Sequence, residues 1–249
     1  MSTGVRDRVA IVGGGPAGLM AAEVLCAAGV GVDLYDAMPS LGRKFLMAGK
    51  SGLNLTHAEP DELFATRFMG AEPFFQEILK GFTSAQSRNW ATELGIETFV
   101  GSSGRVFPKE MKAAPLLRAW IHRLRGQGMV VHTRHKWRGW TPDGGLVFET
   151  QAGEALVHPK LTVLALGGAS WPKLGSDAAW VDWLKARSVK VTPLSPSNCG
   201  FDLRWSAHLL AQHEGAPLKG IALSIADHSA RGSQERADGG ALVLGSRER

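Results

Sequence analysis

Cysteine is scarce in this chain, and long apolar runs are missing. Two cysteines occur among 249 residues, Cys26 and Cys199. They lie far apart and form no CxxC or metal-type spacing, so neither a disulfide framework nor a zinc site is implied, and a reducing cytoplasm fits best. The longest uncharged run near the N-terminus, Val9 to Ala22, is shorter than the ~18 to 20 residues that a membrane span needs, and Glu23 interrupts it. Arg6 and Arg8 precede an apolar run as they would in a signal peptide, but glycines stand where its apolar centre should be. Both membrane readings are set aside. No repeat period is present, which excludes an array of repeats. The formal net charge is +5, yet Lys and Arg are interleaved with Asp and Glu. No aromatic and basic residues alternate as on an RNA surface, so nucleic acid is not an expected partner.

What remains is an ordinary globular composition, 44% apolar and 20% charged, at a length that supports one or two domains. Its most informative stretch runs from Val9 to Ala37, VAIVGGGPAGLMAAEVLCAAGVGVDLYDA. Arg8 to Val12 predicts a short strand, Gly13 to Gly15 a turn, and Pro16 to Ala28 a helix ended by Gly29. A second strand, Val32 to Tyr35, closes on Asp36. Strand, glycine turn, helix, strand and acid together form the context in which G-x-G-x-x-G reads as a dinucleotide fingerprint.

Each residue of the fingerprint has a physical task. Gly13 permits the sharp turn, Gly15 removes a side chain where a pyrophosphate must approach, and Gly18 lets helix and sheet pack closely. Gly14, Pro16 and Ala17 complete the loop and the first helical turn. That turn offers N–H groups and a positive dipole end to phosphates, and Pro16 forfeits no helical hydrogen bond there. Asp36 stands near the expected offset of ~20 residues, where a carboxylate accepts both hydroxyls of an adenosine ribose and repels a 2′-phosphate. Ala37 follows it. The fingerprint alone leaves FAD and NAD open.

The residues beyond Asp36 carry a resemblance. VAIVGGGPAGLMAA at 9–22, LGRKFLMAGKSGLNLTH at 41–57, GRVFPKEMKAAPLLRAW at 104–120, VLALGGASWPKLGS at 163–176 and PLSPSNCGF at 193–201 together resemble the FAD-binding domain of the glutathione-reductase superfamily. Within it they resemble the aminoacetone-oxidase-like (YhiN-type) NAD(P)/FAD-dependent flavoproteins. That family's loop usually reads as a glycine triplet followed by Arg-Cys-Asn. Here Gly52 and Leu53 replace the Arg and Cys while Asn54 remains, which marks a distinct subgroup.

The resemblance implies a Rossmann-like α/β FAD-binding domain at 1–192 with helical and β insertions, and the start of a β-rich substrate domain at 193–249. It implies that Gly42, Arg43 and Lys44 serve the FAD phosphates or ribose, and that Gly49, Gly52 and Asn54 line the flavin. Val130 or Val131 in a strand at Met129 to Thr133 would meet the adenine. Gly167 and Gly168, after a buried parallel strand at Leu161 to Leu166, would cover the dinucleotide. FAD is the expected cofactor, with NAD(P)H as an electron donor or oxygen as the acceptor in an oxidase-type reaction.

A disulfide reductase of the superfamily needs a redox-active cysteine pair soon after the ribose acid, and none exists here. Flavin chemistry needs no protein nucleophile, so oxidoreductase function stands without one. His57 is a candidate proton carrier, and Arg105 in GRVFP a candidate partner for an anion. Trp180 and Trp183, one helical turn apart, read as core.

From Asp61 to Gly126 the pattern is mainly helical, with breaks at Gly81 and Gly95. Met129 to Val157 reads as short strands with a turn at Gly144-Gly145. Strands are expected at Gly200 to Leu203 and Ile221 to Ala226. Residues 229–249 read as a frayed tail, and the Gly-Asp dipeptide typical of the superfamily's return to the FAD domain does not occur. The expectation is therefore a truncated member of the family. Two readings follow: an FAD-dependent oxidoreductase of unknown substrate, or a non-catalytic remnant that holds FAD weakly or not at all.

Overall fold

The structure is a computed structural model that describes residues 8–68, 72–195, 206–214, 217–218 and 242–243. The chain divides after Leu194 into two compact units. The first is built on a parallel sheet. Strand β1 (Val9–Val12) leads through helix α1 (Pro16–Ala27) to β2 (Val32–Asp36), within one residue of the predicted bounds. Strand β1 is a continuous apolar run, VAIV, as a sheet covered on both faces requires, whereas β2 carries Asp33 in mid-strand, ion-paired with Arg8.

After β2 come α2 (Arg43–Ala48), β3 (Thr56–His57), α3 (Asp61–Ala65), α4 (Glu72–Gly81), α5 (Ser84–Glu93), β4 (Thr98–Val100), β5 (Arg105–Pro108) and α6 (Ala113–Gly126). The chain then adds β6 (Met129–Thr133), an antiparallel meander of β7 (Lys136–Trp140), β8 (Leu146–Thr150) and β9 (Gly153–Val157), then β10 (Leu161–Leu164) and α7 (Trp180–Ala186). The parallel sheet has the order β10-β1-β2-β6, with Val9 opposite both Leu161 and Val32, and Asp36 opposite Thr133. Strand β6 has the bounds that the sequence predicts.

One face of the sheet carries Ile11, Val32 and Leu34, packed against Leu19 of α1 and Leu116, Trp120 and Leu124 of α6. These side chains are fully buried or nearly so; each contributes roughly 1.5 to 3 kcal/mol by leaving water. The other face carries Ala10, Val12 and Tyr35, covered by Trp137, Leu146 and Phe148 of the meander. Helices and meander thus sandwich the sheet and leave its carboxyl end open at Gly13 and Asp36.

Two expectations are amended. The segment 61–126 is mainly helical as expected, with α4 ending at Gly81, but it also holds an unexpected antiparallel pair, β4 and β5, joined by β3 into a three-stranded sheet of order β3-β5-β4. Phe99, Val100, Val106 and Phe107 are β-formers in a stretch too short for a stable helix. Strand β10 is parallel as expected but not buried, because among the described residues it is an edge of the sheet, and Leu161 is 63% exposed.

In the second unit the described residues comprise α8 (Ala207–His213), capped by the Ser206 hydroxyl, and an antiparallel pair of β11 (Pro217–Leu218) with β12 (Leu242–Val243). The strands expected at 200–203 and 221–226 lie outside the described residues. Of the expected tail, only Leu242–Val243 is described.

Candidate functional site

The glycine loop between β1 and α1 is shaped by steric demands that differ residue by residue. Gly13 adopts φ +112°, and a Cβ there would stand 2.2 Å from the Ala165 carbonyl oxygen at the end of β10. A Cβ on Gly18 would stand 1.8 Å from the Gly13 carbonyl oxygen. These two glycines make the elbow fold. Gly15 is different: φ is −80°, and a Cβ would meet nothing within 4 Å. Its bareness faces open space.

That space is a cleft of about 680 Å³, within the ~300 to 1,000 Å³ of ordinary ligand pockets. Gly13, Gly14, Gly15, Pro16 and Ala17 form one wall. Helix α1 begins there with Pro16 at its first position, no side-chain cap and no carboxylate in its first turn. The first-turn N–H groups have no intrahelical acceptor, and the positive end of the helix dipole adds to them.

Asp36 ends β2 at the same opening. Its Oδ2 accepts the Gly14 N–H at 2.7 Å and its Oδ1 the Met38 N–H at 2.7 Å. Burial pushes its carboxyl above the ordinary aspartate range, although the two N–H bonds and the nearby Arg43 charge pull the other way. Each carboxylate oxygen keeps a lone pair for a further donor.

Arg43 opens α2, after Gly42 in the left-handed region at φ +65°. Gly42 does not line the cleft; its N–H donates to the Gly14 carbonyl at 2.8 Å and so ties α2 to the glycine loop. Arg43 lines the cleft, makes no hydrogen bond or ion pair among the described residues, and buries its Nε without a partner. A half-buried guanidinium without an acceptor is costly unless an anion completes it. A phosphate between Arg43 and the bare N-terminus of α1 meets that need. The residues present therefore fit a dinucleotide.

Lys44 also lines the cleft, but its Nζ donates to Ser170 Oγ at 2.8 Å and Ser176 Oγ at 3.2 Å. It joins α2 to the loop after β10. Ala37, Asn54 and Gly167 line the cleft as well, and the Gly167 carbonyl accepts Trp180 Nε1–H at 3.0 Å.

Besides Gly18 and Gly42, four expected residues stand away from the cleft wall. A Cβ on Gly49 would lie 2.5 Å from Ala113 Cβ, and one on Gly52 would lie 2.6 Å from Met111 Cε, so both serve packing against the start of α6 rather than the cleft wall. Val131 is half-buried in mid-strand and packs on the helical side of the sheet. Gly168 is not at the wall; its carbonyl accepts Ser176 Oγ–H at 2.7 Å.

His57 does not line the cleft. Its Nδ1 accepts the Glu59 N–H and its Nε2 donates to the Ser103 carbonyl, so both ring nitrogens are engaged in holding a loop. Arg105 is exposed on β5, outside the cleft. Trp180 and Trp183, expected as core, are half-buried: they pack against the cluster beneath the meander and also line the cleft.

The sequence reading missed Met38, His135, Lys136 and Trp137, which form the wall beyond Asp36. The turn between β6 and β7 brings them there: the His135 N–H donates to the Asp36 carbonyl at 2.9 Å and the Arg134 N–H to the Met38 carbonyl at 3.2 Å. The only signal in the sequence was the short spacing between two predicted strands. Among the described residues no cluster of side chains suits a metal ion, and no helix is long and apolar enough to cross a membrane.

Comparison with known proteins agrees with this architecture. The chain is 24% identical over 211 residues to a Haemophilus influenzae protein named ribosomal RNA dihydrouridine synthase, covering 84% of this chain and 52% of that one. It thus spans about half the length of that curated relative. Among solved structures it is similar to 3-ketosteroid-Δ4-(5α)-dehydrogenase from Rhodococcus jostii RHA1, with TM-score 0.52, 16% identity, and 69% and 48% of the two chains covered. It is also similar to Thermovibrio ammonificans THI4, with TM-score 0.46, 20% identity, and 75% and 64% covered. The fold is a Rossmann-like α/β FAD-binding fold, and because the family model described as the HI0933-like protein Rossmann domain matches residues 7–241, this chain belongs to that family.

Proposed function

We propose that the cleft holds FAD and that the chain serves as the FAD-binding part of an oxidoreductase. One observation carries the reading: Arg43, whose guanidinium has no partner among the described residues, lines the same cleft as the open Gly15 backbone and the carboxylate of Asp36. In this reading Asp36 accepts the adenosine ribose hydroxyls. Gly15, Ala17 and Gly18 offer their N–H groups to the pyrophosphate, Arg43 supplies the counter-charge, and Asn54 meets the polar edge of the ring system. Gly13, Gly14, Pro16 and Gly42 hold the loop that makes this approach open, and Ala37, Lys44 and Gly167 complete the walls. A bound flavin would supply hydride or electron transfer. The aminoacetone-oxidase-like grouping, cytoplasmic location and NAD(P)H as reductant belong to the same proposal.

Purification under native conditions tests it. A yellow protein whose visible flavin absorbance bleaches anaerobically on adding NADH or NADPH supports the full reading. A protein that takes up FAD without being bleached supports the binding half and the non-catalytic alternative. A colourless protein that does not take up added FAD contradicts both.

A second reading concerns the substrate. The Haemophilus influenzae relative is named for dihydrouridine formation in ribosomal RNA and matches 84% of this chain, which favours a uridine base of RNA as the group reduced. Loss of one dihydrouridine from ribosomal RNA on deletion of the gene is the expected result; an unchanged modification pattern contradicts this reading alone.

A further inference from the structure

The adenosine end of the cleft carries a side chain with an unused hydrogen-bonding atom. His135 Nδ1 lies 2.8 Å from the Thr133 carbonyl oxygen. A carbonyl only accepts, so Nδ1 carries the proton, and Nε2 of the neutral ring is an acceptor. Nε2 has no hydrogen-bond partner among the described residues, and His135 lines the cleft.

Its placement is fixed from several sides. The His135 backbone N–H is bonded to the Asp36 carbonyl, so this residue adjoins the acid assigned to the ribose. Tyr35 and Phe148 hold the ring, with centroids 5.7 and 6.0 Å away, and stack on each other at 4.4 Å. Arg134, the residue before it, sits at φ +56° and makes the tight turn that brings the ring in. An acceptor on a residue that lines the cleft next to the ribose site is placed to meet the base that the ribose bears. The 6-amino group of adenine is a donor at the edge of that base.

We propose that His135 reads the base of the dinucleotide, its Nε2 accepting a hydrogen bond from the adenine 6-amino group. The inference rests on the reading that the cleft holds FAD. It assigns base selection to a side chain outside the glycine fingerprint.

The test is a titration of the apo-protein with FAD and with flavin hypoxanthine dinucleotide, in which a carbonyl oxygen replaces the 6-amino group. Both are followed by quenching of flavin fluorescence. The wild-type protein is expected to bind FAD about tenfold or more tightly, because the 6-oxo analogue sets acceptor against acceptor. In His135→Leu the ratio should fall to about one, and His135→Gln, whose amide oxygen is an acceptor, should recover part of it. A ratio between two ligands is insensitive to a general loss of stability.

Equal binding of the two ligands by the wild-type protein overturns the proposal while leaving the FAD reading standing. So does an equal loss of both in His135→Leu, which would assign Nε2 to a group common to the two ligands. Failure of FAD itself to bind overturns the FAD reading together with it.

Discussion

The Asp36 carboxylate accepts the backbone N–H of Gly14 at 2.7 Å, so the acid that closes the second strand is fastened to the loop that opens the first helix. The same carboxylate orders that loop and presents free lone pairs to the cleft. Ribose recognition and phosphate recognition are thereby built as one rigid piece.

This coupling gives the Asp36 site a pH dependence. Burial raises its carboxyl above the ordinary value, and donors from a ribose favour the charged form. Binding therefore releases a proton, and FAD affinity should weaken as pH falls through the raised value. A plot of affinity against pH should bend above the ordinary aspartate range in the wild-type protein and be flat there in Asp36→Asn. The same bend in the variant would assign the proton to another group.

The glycines separate into two classes by experiment. Gly18→Ala forces a Cβ to within 1.8 Å of a backbone oxygen, and should cost about 3 kcal/mol or more of folding stability in a denaturant titration. Gly15→Ala meets no atom and should leave the apo-protein unchanged, or up to ~1 kcal/mol more stable. Its FAD affinity should nevertheless fall about tenfold or more. If Gly15→Ala bound FAD normally, the open backbone would not be where phosphate sits.

Arg43→Ala should weaken FAD binding by about 10- to 100-fold, the range of a charge-assisted hydrogen bond. Its apo stability should change little, since the guanidinium makes no hydrogen bond or ion pair among the described residues. Arg43→Lys should recover only part of the affinity, because an ammonium lacks the planar fork. A large loss of apo stability with normal FAD binding would make Arg43 structural.

Tyr35 predicts alkaline behaviour. Burial, with the neighbouring Asp33 carboxylate, raises its phenol from the usual 10.0 to about 12. For a group raised on folding, its stabilisation is complete below the unfolded value and is lost as pH rises through the folded one. Between about pH 10 and 12 the wild-type protein should lose stability that Tyr35→Phe keeps, measured as denaturant midpoints at a series of pH values. Parallel loss in both proteins would place the alkaline transition elsewhere.

The opening of the fold was legible because local signals agreed there. Val9–Val12, Pro16–Ala27 and Val32–Asp36 combine apolar runs with glycines and a proline at positions where only those residues serve. Farther along, the same residue types were ambiguous. Gly49 and Gly52 read as backbone bared for a flavin, whereas each gives way to a side chain of the α6 region. The exposure of Leu161 depends on which strands flank β10, a property of sheet order that no local pattern records. The wall of His135, Lys136 and Trp137 arises from a turn that folds back onto Asp36, and a contact across ~100 residues leaves no trace in spacing.

The central claim is that an adenine dinucleotide lies with its pyrophosphate against the first turn of α1. A crystal structure of the protein with FAD tests this most directly. The account predicts pyrophosphate density within hydrogen-bond reach of the Gly15 and Ala17 N–H groups and of the Arg43 guanidinium, with the ribose on Asp36. FAD bound with that elbow filled by a protein side chain, or with its phosphates away from α1, would contradict it.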